Sequence, residues 1–278
     1  MPEQTQSSPA SAEQAAAKGP IARFLALPVD SLPKTMAIAV SLCLVASMAV
    51  SALAVSLRPV QEANKLQDKQ MNVLQVAGIY EEGQDIAEAF SAFELHVLEL
   101  ESGEFSDQFD PREFDDLAAA EDPATSVALT EDPAGIGRQA THKTVYLLRD
   151  DAGEIDKVVL PIHGYGLWST LYGFIAVEEN GDDIYGLQFY EHGETPGLGA
   201  EVDNPRWKAQ WRGKQLFNDN GELAINVAKS VDADGAEYHV DSLSGATLTS
   251  DGVDNLVRFW MSEEGYGAFL DNLRAGEI

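Results

Sequence analysis

A run of 22 residues without a charge, Met36 to Leu57 (MAIAVSLCLVASMAVSALAVSL), sets the first limit on the architecture. A helix rises about 1.5 Å per residue, so about 20 apolar residues cross a hydrocarbon core of about 30 Å. The run predicts a transmembrane helix over 36–57. A cleaved signal peptide is the competing reading, because Ala52-Leu-Ala54 resembles a cleavage site. Signal peptides carry a short basic leader and an apolar region of about 7–15 residues. Here about 35 residues precede a longer run, so an uncleaved anchor is expected.

Positive residues mark the cytoplasmic side of a span. Lys18, Arg23 and Lys34 precede it, and Arg58, Lys65 and Lys69 follow it. The tie leaves orientation open at this point. Residues 1–35 form a tail whose first 20 positions, rich in Ala, Ser, Gln, Glu and Pro, read as flexible. Residues 58–278 read as one water-facing domain, and the whole net charge of −28 falls on it. Such a surface repels phosphate backbones, which argues against nucleic-acid partners. The single cysteine, Cys43, supports no disulfide, zinc or iron–sulfur framework. The five histidines show no short metal-ligand spacing, so no metal site is expected.

Gln61 to Leu100 reads as largely helical, with Val73, Leu74, Val76, Ala77 and Tyr80 and then Phe90, Phe93, Val97 and Leu98 at helical spacing. Residues 101–140, acidic and broken by Pro111, Pro123 and Pro133, read as loop with short helical turns. Strands are expected at 144–149, 157–162, 172–178 and 184–191, split by Asp-Ala-Gly, His-Gly-Tyr-Gly and Asn-Gly-Asp-Asp turns. A short helix at 204–211, strands at 224–229 and 237–243, and a last helix from about Thr249 to Met261 complete the pattern. The expected class is α+β: one N-terminal transmembrane helix, then a mixed, mainly antiparallel sheet flanked by helices.

Three segments carry chemistry. In Asp241-Ser-Leu-Ser-Gly-Ala-Thr247-Leu-Thr249-Ser-Asp251, a strand enters and an amphipathic helix leaves. Ser244, Gly245 and Ala246 allow close backbone approach, and Thr247, Thr249, Ser250 and Asp251 are natural cap residues. Exposed N–H groups at a helix start suit a phosphate. A tight turn with an N-cap would explain the same residues. In the second segment, His192-Gly-Glu194-Thr195-Pro-Gly197-Leu198-Gly199, the glycines and proline mark a defined loop. Gly197 and Gly199 would permit contact with a flat ring, and Glu194 and Thr195 could hydrogen-bond a polar edge. A structural turn is again the alternative. The third segment, 164–173, places Trp168 and Tyr172 where they could pack on a cofactor or in a core.

Together these segments resemble the FMN-binding domain of the C subunit of the sodium-translocating NADH:quinone oxidoreductase. The resemblance runs over about 200 residues: the N-terminal span and segments 160–173, 189–207, 241–250 and 259–267. Ser242 stands where the family commonly has Gly, a position open to any small residue. The resemblance implies FMN joined through its phosphate to the hydroxyl of Thr247, a phosphoester made by a separate flavin transferase. Thr249 then becomes a cap or phosphate neighbour. Ser244, Gly245, Ala246, Glu194, Thr195, Gly197, Leu198 and Trp168 become the cofactor-binding neighbours. It implies a cytoplasmic tail, an inner-membrane anchor and a periplasmic flavin domain. It implies an electron relay within a multi-protein complex whose other members move sodium, with no catalytic residue of its own. The equivalent protein of the Rnf complex shares the flavinylation motif and is the nearer alternative. A non-redox assembly subunit, and a module that binds its ligand without a covalent bond, are the rivals of another class.

Overall fold

The computed structural model describes residues 24, 26–28, 30–230 and 233–278. The tail at 1–20 and two of the topology-marking cations, Lys18 and Arg23, lie outside them. The chain divides into two compact units, with the boundary between Asn64 and Lys65. Helix α1, Leu32–Val76, contains the whole uncharged run and is long and apolar enough to cross a membrane.

In chain order there follow α2 (Ile86–Phe90), β1 (Phe93–Glu99), β2 (Glu104–Phe105), α3 (Asp116–Glu121), β3 (Ser126–Ala128), β4 (Arg138–Ala140) and β5 (His142–Arg149). Next are β6 (Ile155–Tyr165), β7 (Thr170–Glu178), β8 (Asp183–Glu191), a 3-10 turn (Gly199–Asp203), α4 (Pro205–Lys208) and β9 (Lys214–Gln215). The chain closes with β10 (Asn226–Ala228), a 3-10 turn (Ala233–Tyr238), β11 (His239–Asp241), α5 (Thr247–Met261) and α6 (Gly267–Ala275). Seven strands form one sheet in the order β2-β1-β5-β6-β7-β8-β9, antiparallel throughout. Two small pairs, β3-β4 antiparallel and β10-β11 parallel, stand beside it. The α+β reading is therefore correct.

Both faces of the sheet are covered. Successive side chains in a strand point to opposite faces. Val145, Leu147, Leu160 and Ile162 pack with Val253, Leu256 and Trp260 of α5 and Phe269 of α6. Tyr146, Leu148, Val159 and Phe174 pack with Val73, Leu74 and Val76 at the end of α1. One buried ion pair crosses the first core, where Asp116 of α3 meets Lys143 of β5 and the ammonium lies 4.5 Å from the Trp260 ring centroid. Burial pushes the Asp116 carboxyl up most strongly, but the charge and hydrogen bond of Lys143, with the charge of Lys69, together outweigh it and hold the group below its ordinary value.

Four expectations need correction. Residues 93–99 are a strand, paired along their length with β5. Phe93-Glu-Leu95-His-Val97 alternates apolar and polar as a strand does, but the adjacent buried pair Val97-Leu98 breaks the alternation, and Phe93, Val97 and Leu98 also fit a helical spacing. Residues 101–140 hold the short strands β2, β3 and β4 besides α3, which Asp115 caps by accepting from the Leu117 and Ala118 N–H groups. The His-Gly-Tyr-Gly turn is strand as far as Tyr165, and the reversal falls at 166–169. The last helix is α6, not α5, and α5 starts at Thr247.

Candidate flavin site

The site is built where the β6–β7 reversal, the loop after β8 and the first turn of α5 meet. Glu194 joins all three. The residue is 5% exposed. Its Oε1 accepts the N–H of Leu167 at 2.9 Å and of Trp168 at 3.0 Å. Oε2 accepts the Thr249 hydroxyl at 2.6 Å. Burial pushes the Glu194 carboxyl up, but the Thr249 hydroxyl and the Trp168 and Leu167 amides more than offset it, so the group sits below its ordinary value. Glycine is required where the carboxylate packs: a Cβ at Gly166 would lie 2.6 Å from Oε1, and one at Gly199 would lie 2.5 Å from Oε2. A second tie runs from the Gly193 N–H to the Ser169 hydroxyl at 2.6 Å.

The turn before α5 is fixed from within. Gly245 has φ +79°, a left-handed conformation that glycine adopts freely. Ser250 Oγ accepts the Leu243 N–H at 2.9 Å and donates to the Ala246 carbonyl at 3.0 Å. The cap position is Ala246, and no side chain caps the helix. The first-turn N–H groups of α5 are thus left for solvent or a bound anion. Thr247 is exposed at the first helical position, whereas Thr249 and Ser250 are buried. The segments that meet at Glu194 expose several large apolar side chains, unusual in so acidic a domain. Trp168 is 64% exposed, Leu248 60%, Tyr165 51% and Leu198 45%.

The structure thus brings Ser244, Gly245, Ala246 and Thr247 into one turn, with Leu198 beside it: a Cβ at Gly245 would touch Leu198 Cδ2 at 3.4 Å. Thr195, Gly197 and Leu198 are exposed on the loop after β8. Three roles change. Thr249 is no cap, because its hydroxyl is given to Glu194. Glu194 spends both oxygens on the protein and so braces the loops. Tyr172 packs on His163, ring centroids 5.8 Å apart, and on Tyr190. Sequence reasoning missed Ser250 as the pin of the turn, and Gly252. A Cβ at Gly252 would lie 2.6 Å from the Tyr165 carbonyl oxygen. A glycine inside a helix costs about 1 kcal/mol against alanine, and that cost was the available signal. Gly252→Ala is expected to lose about 1–3 kcal/mol through this overlap, read as a lower denaturant midpoint; an unchanged midpoint would mean that α5 is free to shift.

An uncapped helix start, an exposed hydroxyl on it and exposed apolar side chains nearby in the fold suit a nucleotide-type cofactor, and residues 166–262 match the FMN-binding domain family. The chain is 49% identical over 257 residues to the C subunit of the Na(+)-translocating NADH-quinone reductase of Pseudomonas aeruginosa, covering 89% of this chain and 98% of that protein. It is 46% identical to the corresponding protein of Yersinia pestis, covering 90% of this chain and 96% of that protein. The crystal structure of Shewanella oneidensis NqrC superposes with a TM-score of 0.72 at 37% identity, over 77% of this chain and 99% of that chain. The chain belongs to the NqrC family, the C subunits of the Na(+)-translocating NADH-quinone reductase. With that membership, α1 supplies a membrane anchor.

Proposed function

We propose that this chain is the electron-relay subunit of a sodium-translocating NADH:quinone oxidoreductase and carries FMN covalently on Thr247. The observation that carries the assignment is the contrast between two neighbouring threonines. Thr247 presents its hydroxyl to solvent at an uncapped helix start, while the Thr249 hydroxyl is buried and engaged by Glu194. FMN, when bound, supplies electron-transfer chemistry that no side chain offers. The chain's own residues hold and shield it. Thr247 provides the ester oxygen, and Ser244, Gly245 and Ala246 let the phosphate approach the α5 amides. Thr195, Gly197, Leu198 and Trp168 line the apolar side where a ring would lie. Glu194 and Thr249 keep the three loops in register.

A separate flavin transferase makes the phosphoester, and the other subunits of the complex supply the sodium pathway, since one span encloses none. The direct test is a denaturing gel of the protein expressed in membranes with a competent transferase. Flavin fluorescence that survives boiling, with the added mass on the peptide containing Thr247, is the expected result. An intact mass equal to the bare chain would return the protein to the non-redox assembly reading.

Trp168→Ala is expected to leave covalent loading intact and to brighten the native flavin several-fold, because a nearby indole quenches it. Equal fluorescence in both proteins would remove Trp168 from the ring. The flavin domain is assigned to the periplasmic side of the inner membrane. A membrane-impermeant amine reagent should label it in intact spheroplasts; labelling confined to lysed cells would reverse that topology.

A further inference from the structure

On the face of the sheet opposite α5, a cavity of about 440 Å³ lies among the end of α1, α2, β1, β5 and the loop before α3. Phe90, Phe93, Phe114 and Tyr146 give it aromatic walls. Lys69 and Arg112 bring two positive charges to the lining, and none of the lining residues is acidic. In a chain with 46 acidic and 18 basic residues, the local sign is reversed. Neither cation forms an ion pair among the described residues. Lys69 is felt by Asp116, but that carboxylate is already bonded to Lys143.

The cavity also holds an unanswered polar group. Thr144 lines it, is 5% exposed, and its hydroxyl has no hydrogen-bond partner among the described residues. Buried hydroxyls are rarely left this way, because an unmade bond is costly. Small-molecule sites commonly have volumes of about 300–1,000 Å³, with apolar walls and polar groups that set orientation; this cavity has that volume and aromatic walls, with a larger polar share from Lys69, Gln70, Ser91, Arg112 and Thr144.

We propose that this cavity binds an amphipathic anion, its apolar body against the aromatic walls and its phosphate or carboxylate taken by Lys69 and Arg112. The Thr144 hydroxyl completes the set as a donor or acceptor to the ligand's polar end. The site is separate from the flavin site and does not rest on that reading. The anion could come from solution or from an anionic lipid, since Leu66 on the lining follows closely after the uncharged run that ends at Leu57.

The test is an equilibrium titration of the full-length chain, in a non-ionic detergent, with phenyl phosphate, inorganic phosphate and benzyl alcohol. Thr247→Val serves as the common background, so that flavin loading is the same in every protein; its open α5 helix start is shared by parent and double variant and cannot account for a difference between them. Saturable binding of phenyl phosphate is expected, at least about tenfold tighter than either fragment. The double variant Lys69→Gln, Arg112→Gln should weaken it by about tenfold or more, as expected for charge-assisted hydrogen bonds. Equal affinity in parent and double variant, no saturation by phenyl phosphate, or inorganic phosphate binding as tightly as phenyl phosphate would each overturn the proposal. A Thr144→Val variant, which keeps shape and removes the hydroxyl, should bind several-fold more weakly. Competition then separates the sources, and each result supports the shared chemistry. Displacement of phenyl phosphate by a short-chain anionic phospholipid assigns the ligand to the membrane, and binding that resists it assigns the ligand to solution.

Discussion

Thr247→Val is expected to abolish covalent flavin while the domain still folds. Valine keeps the β-branched shape and removes only the hydroxyl. Thr247 is exposed, and the cap position belongs to Ala246, so no hydrogen bond of the fold is lost. Exposed substitutions of this kind stay within about 0.5 kcal/mol. The neighbouring threonine cannot substitute, because its hydroxyl is buried at 2.6 Å from Glu194. Thr247→Ser should retain loading, since the nucleophilic oxygen remains. In-gel fluorescence after boiling, with circular dichroism as the folding check, reads all three proteins. Undiminished fluorescence in the valine variant would move the ester to Ser244, the other exposed hydroxyl of the turn.

Glu194→Ala is expected to be the most destabilising change at the site. It strands the N–H groups of Leu167 and Trp168 and the hydroxyl of Thr249. Each unmade bond costs about 1–3 kcal/mol, and water or local relaxation recovers part, which leaves about 3–5 kcal/mol. In a domain of this size, Tm falls by about 2–4 °C per kcal/mol, so a drop of about 6–20 °C is expected. Flavin loading should fall with it, since the three loops lose their common tie. Glu194→Gln keeps an oxygen for the two amides and should lose less. A Tm within about 2 °C of the parent in the alanine variant would show that the loops hold one another without the carboxylate.

The same group makes stability depend on pH. Its pKa is lowered in the fold, so its contribution is complete above the ordinary carboxylate value of 4.5. As pH falls through the lowered folded value, the contribution is lost, because the unfolded chain takes up its proton first. Glu194→Gln should lack this part of the acid transition; identical acid profiles would assign it to other carboxylates.

The backbone of the turn at the candidate site was legible as a string of residues. The turn Ser244-Gly245-Ala246-Thr247 needs a left-handed glycine and leads into a helix, and both requirements are local. The strands at β5 to β8 were readable because β-branched and aromatic runs stop at turn residues. Strand β1 was read as helix although Phe93 to Val97 alternates, because Phe93, Val97 and Leu98 also fit a helical spacing that continues the pattern before them, and only the pairing with β5 separates the two. Glu194 was visible as a loop residue facing a ligand, yet it points inward. Nothing local distinguishes the two orientations, since its three donors lie 26, 27 and 55 residues away in the chain.

Residue order alone was enough for the anchor, the α+β class and the threonine turn, each of which depends on periodicity, chain length or backbone freedom within a few neighbours. Packing in three dimensions was needed to show which of two nearby threonines is free, what braces the loops around it, and that a cationic, aromatic cavity lies on the far face. Those outcomes depend on side chains brought together from distant segments, and burial with hydrogen-bond satisfaction is a property of the packed molecule.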